Sequence, residues 1–325
     1  MSQELPTVSE IYAKGQANLG KIGVELPFSL GTYTAAIPTA TRNYLDSLFF
    51  TPCFLDTGEA DTDITLFGRK LKTPVFCSAL SKYPFMSDNW PADVGTGVAR
   101  AGSLMMLGLG GSDDLQKAID TGAPVIKIVK PYRHTELIYE KVRDAESRGC
   151  VAVGMDISHA LGRLRGDRVD GTEMRGPQTS TELKKITAST KLPFVVKGVL
   201  NILDAQRAVD IGAAAVLVSN HAVNSFLFGL PSPIALPTIA ESVGKKLIVM
   251  VDSGFKTGND ALKGLALGAS AVGFGTAIVM ALMADGAAGV EVLINQITAE
   301  LRRSMVATNC AHLSNVNKSI ITTLH

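Results

Sequence analysis

Eight short apolar runs, each ending in small or polar residues and each followed by a helix-like stretch, recur along this chain and constrain its fold more than any other feature. They are Pro74 to Leu80, Leu104 to Leu109, Pro124 to Lys130, Cys150 to Asp156, Pro193 to Val199, Ala213 to Asn220, Lys246 to Gly254 and Ser270 to Thr276. Continuous apolar runs suit parallel strands covered on both faces, and strand-helix alternation is what builds such a sheet. The segments between them agree. In HTELIYEKVRDAESRG, Leu137, Ile138 and Val142 recur at helical spacing, and in NILDAQRAVDIGA, Ile202, Ala205 and Val209 do. Gly149 and Gly212 follow these two segments as helix stops do. Eight units predict an α/β chain closed as a (β/α)8 TIM barrel, with an open sheet and miscounted strands as the competing reading.

The barrel core is expected over 74–284 of a single domain spanning 1–325. Residues 1–73 read as a helical N-terminal extension that ends in TPCFLDTGEADTDITLFGRKLKTP, a hairpin or plug at the barrel base, and 285–325 read as a C-terminal helix with a polar tail. Two uncharged stretches, Ile211 to Ala240 and Gly264 to Ala284, have the length of membrane spans. Both break into an apolar strand, a polar or glycine turn and a second apolar segment, so buried strands with their helices are expected instead. With 31 Lys and Arg against 30 Asp and Glu, nothing global favours nucleic acid or an anionic membrane as partner. Cys53, Cys77, Cys150 and Cys310 show neither CxxC nor Cys/His ligand spacing, which argues against a zinc site or disulfide framework. No signal peptide is visible in MSQELPTVSEIYAKGQ, and a cytoplasmic location is expected.

Active sites of such barrels collect at the C-terminal ends of the strands. The third run delivers Lys127 and Lys130 there, the fourth Asp156, the fifth Lys197, and the sixth Ser219, Asn220 and His221. An Asp, a Lys and a His from separate strands form an acid/base constellation, because a carboxylate can orient an imidazole and fix its tautomer. A structural role competes at each position: a hydrogen-bonded His, a turn-capping Asp, a solvated Lys130. Lys197 is the most telling, since an ammonium inside PFVVKGV is costly unless it faces a polar partner. DSGFKTGND and GFGT offer backbone N–H groups beside Lys256 and a helix start, where barrels commonly hold a ligand phosphate; helix capping by Thr257 and Asn259 is the alternative. The glycines of GLGG, beginning at Gly108, add a weaker phosphate signal.

LPFVVKGVLNILDAQRAVDIGAAAVLVSNHAVN followed by IVMVDSGFKTGNDALKGLALGASAVGFGTAIV resembles the FMN-dependent α-hydroxy acid oxidase and dehydrogenase family. The likeness continues more weakly in TRNYLDSLFFTPCFL, in TPVFCSALS and in the final helix. The resemblance implies FMN across the top of the barrel. Lys197 would contact the N1 and O2 edge of the flavin, His221 would take a proton from substrate as hydride reaches N5, and Asp156 would orient His221. Ser78 and Ala79 would meet the ring, Asp252 the ribityl chain, and Gly254, Lys256, Gly275 and Thr276 the phosphate. A small-molecule substrate and a homo-oligomer, a tetramer by resemblance, are also implied.

Departures fall on the substrate pocket. The family arginine three residues after the histidine is Asn224 here, its neighbouring glycine is Ala222, and the loop continues as the apolar SFLFGLP. Asparagine cannot supply a charged bidentate clamp. Lys130 stands for the strand-3 tyrosine, Ile128 and Gly154 for two residues that bond the flavin, and Lys256 and Thr276 for two phosphate arginines. The second clamp arginine corresponds to Arg163, or to Arg165 with a one-residue offset. The expectation is flavin chemistry retained over a rebuilt pocket in which Lys130, Arg163 and Asn224 meet a substrate other than glycolate or lactate. An FMN-dependent isomerase of the same superfold and a barrel that has lost catalysis and serves in binding or assembly are the alternatives.

Overall fold

The computed structural model describes residues 5–24, 35–165, 168–170, 174–221, 226 and 228–323. Eight parallel strands close into a barrel: β1 (Val75–Leu80), β2 (Leu104–Leu107), β3 (Val125–Val129), β4 (Ala152–Asp156), β5 (Phe194–Val199), β6 (Ala215–Val218), β7 (Ile248–Val251) and β8 (Ala271–Phe274). They follow one another around the wall, and β8 pairs with β1 to shut it. Three strands begin one residue later than the apolar runs because Pro74, Pro124 and Pro193 have no N–H to give the ladder; their carbonyls still accept from Val272, Met105 and Val153. The last three runs are longer than the strands they contain. Asn220, Asp252 to Gly254 and Gly275 leave the ladder and form the site loops.

The helices are α1 (Val8–Lys21), α2 (Ala36–Ser47), α3 (Trp90–Arg100), α4 (Ser112–Ile119), α5 (Thr135–Ser147), α6 (Ser180–Ala188), α7 (Ile202–Asp210), α8 (Ser232–Val243), α9 (Gly258–Ala266) and α10 (Thr276–Ala307). α10 is broken by non-helical backbone at Asp285 and Gly286, so the eighth barrel helix ends there and the C-terminal helix starts beyond the kink, near residue 285 as expected. Among the described helices α10 alone has the length and apolarity of a membrane span, and its apolar residues Val290, Leu293, Ile294, Ile297 and Leu301 are buried in the fold. α1 lies against α10 so closely that a Cβ on Gly15 would stand 2.3 Å from the Met280 carbonyl oxygen. That approach brings the N-terminal extension over the barrel top.

Side chains alternate across each strand. Phe76, Leu104, Met106, Ile126, Ile128, Ala152, Val195, Ala215, Leu217, Met250 and Ala271 fill the barrel interior. Val75, Cys77, Met105, Val125, Val129, Val153, Val196, Val216 and Val249 point outward and pack with the helices. The expected basal plug is a hairpin, Ile64–Leu66 with Arg69–Leu71, turned at Phe67 and Gly68, which both have positive φ as a tight hairpin turn requires. Its Leu66 and Leu71 join the interior cluster and close the bottom. Carrying the inward parity to the opposite end reaches Ser78, Gly108, Lys130, Asp156, Lys197, Ser219 and Asp252, so a polar layer lies on top of an apolar one.

Candidate active site

Asp156 ends β4, and register with β5 sets it beside Lys197. It is fully buried, and four groups converge on its Oδ2: Lys130 Nζ at 3.0 Å, His221 Nδ1 at 3.0 Å, Lys197 Nζ at 3.4 Å and His159 Nε2 at 3.9 Å. Ser158 Oγ donates to the other oxygen at 2.6 Å. Burial alone would raise the Asp156 pKa, but the Lys130 and Lys197 ammonium groups overcome it and hold the carboxyl well below its ordinary range. Burial pushes Lys130 down to about 8 against the pull of Asp156. The same desolvation, reinforced by Lys197, lowers His221 to about 4 although Asp156 opposes it. His159 is pushed down too, by burial and then by His221. The ligating atoms of Asp156, His159 and His221 lie within 4.8 Å of one another, yet two ammonium groups already hold Oδ2 and repel a metal cation.

His221 has φ of 49°, a strained conformation for a non-glycine residue, and its N–H reaches Ser219 Oγ at 3.3 Å. Ser219 Oγ also accepts from Lys197 Nζ at 2.9 Å, so one hydroxyl positions both groups. With Nδ1–H donated to Asp156, the neutral imidazole keeps its lone pair on Nε2, and His221 lines the cavity above.

That cavity has a volume of about 420 Å³. Its floor holds Lys197, Asn220 and His221, one wall holds Ser78, Ala79 and Leu80, and the far end holds Asp252, Gly254, Lys256, Gly275 and Thr276. Tyr12, Gln16, Thr41 and Arg42 of α1 and α2 complete it. α10 opens at Gly275 and Thr276 with no side chain capping its first turn, leaving N–H groups for an anion. α9 is different: Thr257 caps it, as the capping alternative expected, whereas Asn259 accepts from Ser304 instead of capping and Asp260, not anticipated, takes the Lys256 N–H. The Lys256 side chain nevertheless lines the cavity. Gly254, at φ 94°, lies so near Thr41 that a Cβ would come within 2.4 Å of its methyl.

The family model for FMN-dependent dehydrogenases matches residues 29–179 and 164–323. The chain belongs to this family. It is 25% identical over 319 residues to glycolate oxidase 3 of Arabidopsis thaliana, covering 87% of this chain and 86% of that protein. It is 29% identical over 314 residues to 4-hydroxymandelate oxidase of Amycolatopsis orientalis, covering 86% and 88%. L-lactate dehydrogenase of Caulobacter vibrioides matches at 43% over 141 residues, which is 43% of this chain and 37% of that protein. A crystal structure of mandelate oxidase superposes with a TM-score of 0.87 at 27% identity over 98% of both chains. This member of the FMN-dependent dehydrogenase family is therefore an FMN-dependent oxidoreductase of the hydroxy acid type.

The site of this family member fits FMN. Among the described residues Ser78 Oγ and Asn220 Oδ1 are buried without a hydrogen-bond partner, and both residues line the cavity, so both are available to a polar ring edge. A Cβ on Gly273 would strike Ser78 Oγ at 2.4 Å, so glycine keeps β8 clear beneath that face. Of the residues assigned from sequence, His221, Asp156 and Lys197 are brought together, and Ser78, Ala79, Asp252, Gly254, Lys256, Gly275 and Thr276 share the cavity. Two assignments need correction. Gly108 does not line the cavity: its carbonyl accepts from Lys127 Nζ at 2.7 Å, on the outer side of the barrel wall. Lys130 is 2% exposed and bound to Asp156, so it lies beneath the cavity as a partner of that carboxylate instead of lining it. Arg163 starts a short strand, Arg163–Arg165, but its side chain lies outside the described residues, as does Asn224. The sequence reading missed His159 and Arg175. His159 lies edge-on to His221 with ring centroids 4.1 Å apart, and Arg175 Nη1 meets its Nδ1 at 3.2 Å. A histidine three residues beyond a strand-end aspartate was the available signal. The N-terminal wall of Tyr12, Gln16, Thr41 and Arg42 was not legible either, because no strand end or motif marks it.

Proposed function

We propose that this chain oxidises a hydroxy acid with an apolar substituent, other than glycolate or lactate, with His221 as the base. Bound FMN supplies the hydride acceptor at N5. His221 Nε2 takes the hydroxyl proton, Asp156 keeps the ring in the tautomer that can do so, and Lys197 carries a positive charge where the reduced ring gains electrons. Lys130, Lys197 and Arg175 outnumber Asp156, a positive balance that favours an anionic substrate. Arg163 is assigned to its carboxylate. On loops after β4 and β6, at the same end of the barrel, Leu161, Phe226 and Phe228 are more than 60% exposed and offer apolar surface to the substituent. Four free cysteines accord with a cytoplasmic setting, and a homo-oligomer is proposed with it by family likeness.

The observation that carries this reading is the Asp156 to His221 contact of 3.0 Å beneath an open cavity that also holds Lys197. The test is to purify the protein, release and identify its flavin, and mix the holoenzyme anaerobically with 2-hydroxy acids of graded apolar size. Bleaching of bound FMN by aryl or long-chain members, and weakly by glycolate or lactate, is expected. Failure to bind FMN, or bleaching by glycolate and lactate ahead of the rest, would overturn it.

A further inference from the structure

The base and its carboxylate share their key oxygen with a second lysine. Lys130 Nζ and His221 Nδ1 each lie 3.0 Å from Asp156 Oδ2, so the ammonium competes with the imidazole for the same lone pairs. In a simple Asp–His pair the carboxylate's charge favours the imidazolium and raises the proton affinity of the ring. Here that charge is already countered. Of the remaining groups around His221, Lys197 and the Arg175 guanidinium push the same way, whereas Asp252 opposes them. Lys197 Nζ is 3.3 Å from Nδ1; His159, edge-on at 4.1 Å, is followed by the Arg175 guanidinium; Asp252 and Lys256 stand at the far end of the cavity with opposite charges. Ser219 is neutral and meets His221 at its backbone N–H while also accepting from Lys197 Nζ.

We propose that Lys130 is a positioning residue that tunes the base: by binding Asp156 Oδ2 it withholds the carboxylate's charge from His221 and keeps the imidazole neutral in mildly acidic solution. Lys130 does not line the cavity, so it acts through Asp156 and not on the substrate. Burial and then Lys197 lower the His221 pKa most, and the Lys130 charge adds to them against Asp156. The consequence for the reaction, which rests on His221 being the base, is an acid limb of the pH profile displaced to lower pH.

The experiment is an NMR pH titration of histidine-labelled FMN holoenzyme, with the His221 signal assigned by its loss in His221→Gln. In the wild-type protein His221 is expected to stay neutral through pH 5. In Lys130→Met its midpoint should rise by about one unit, a tenfold gain in proton affinity, and Lys130→Arg, which keeps the charge, should return it towards the wild-type position. A wild-type midpoint at or above the ordinary histidine value, or no movement in Lys130→Met, would overturn the proposal. Should Lys130→Met fail to fold, the wild-type midpoint together with that of Lys130→Arg decides. Absence of hydroxy acid oxidation would sink the functional reading alone, since the titration needs no turnover.

Discussion

The two ends of the barrel interior are built on one periodicity and serve different ends. Towards the bottom, every second residue of each strand is apolar, and Leu66 and Leu71 of the hairpin close the space over Phe76, Leu104 and Ile126. At the top the same alternation presents Ser78, Lys130, Asp156, Lys197, Ser219 and Asp252. A buried charge layer is poor evidence of stability, because desolvation opposes the Coulomb attraction; it stands here because each ammonium has Asp156 within 3.4 Å. The contrast teaches where to look for chemistry: stability resides in the plugged end, and reactivity resides where the parity turns polar.

Substitutions can break that division. Asp156→Asn should have the largest effect, leaving two buried ammonium groups without a counter-charge at a cost of about 3–5 kcal/mol. It should also slow flavin reduction by roughly 10²–10⁴-fold, as loss of an oriented base does, measured by anaerobic stopped flow. Phe76→Ala, one layer down, should lower stability by about 3–5 kcal/mol in denaturant melts while leaving flavin reduction nearly unchanged. A slowed reduction there would mean that the two layers are coupled. Lys256→Ala removes one charge from the phosphate end and should weaken FMN binding by about tenfold, seen as flavin lost on dilution, with little change in melting of the apoprotein.

The smallest effect concerns pH. His221 moves from 6.5 down to about 4 on folding, so the unfolded chain binds more protons between those values and stability falls as pH drops through that window. From about pH 7 to pH 5.5 His221 should contribute a loss of roughly 1 kcal/mol, which His221→Gln should remove, while His159, also pushed down, keeps its own share of the slope in that variant. Asp156, held well below its ordinary range, adds its own loss only at lower pH. Phe76→Ala should keep the slope of the wild-type protein.

Much of this was legible in the sequence because period and strand count are local properties. All eight strands fall inside the apolar runs, and Asp156, Lys197 and His221 were marked by chemistry at strand ends. Parity could also have separated the two β3 lysines. Lys127 and Lys130 stand an odd number of residues apart, so one must face the helices and the other the barrel axis, as Lys127 on the Gly108 and Gly110 carbonyls and Lys130 on Asp156 show. Lys130 as a substrate contact could not be corrected from sequence, since which carboxylate an inward lysine finds depends on neighbouring strands. His159 and Arg175 meet across a loop turn, and Tyr12 and Gln16 reach the cavity only because Gly15 lets α1 touch α10. Such contacts between distant elements leave no periodic trace.

The central claim is that His221 is the base above a charged, parity-defined layer. Its most direct test is anaerobic flavin reduction in His221→Ala beside the wild-type protein, with FMN content measured in both. The account predicts that the variant retains its FMN and loses substrate-driven reduction by about 10²–10⁴-fold. Reduction at the wild-type rate by a fully loaded variant would contradict it.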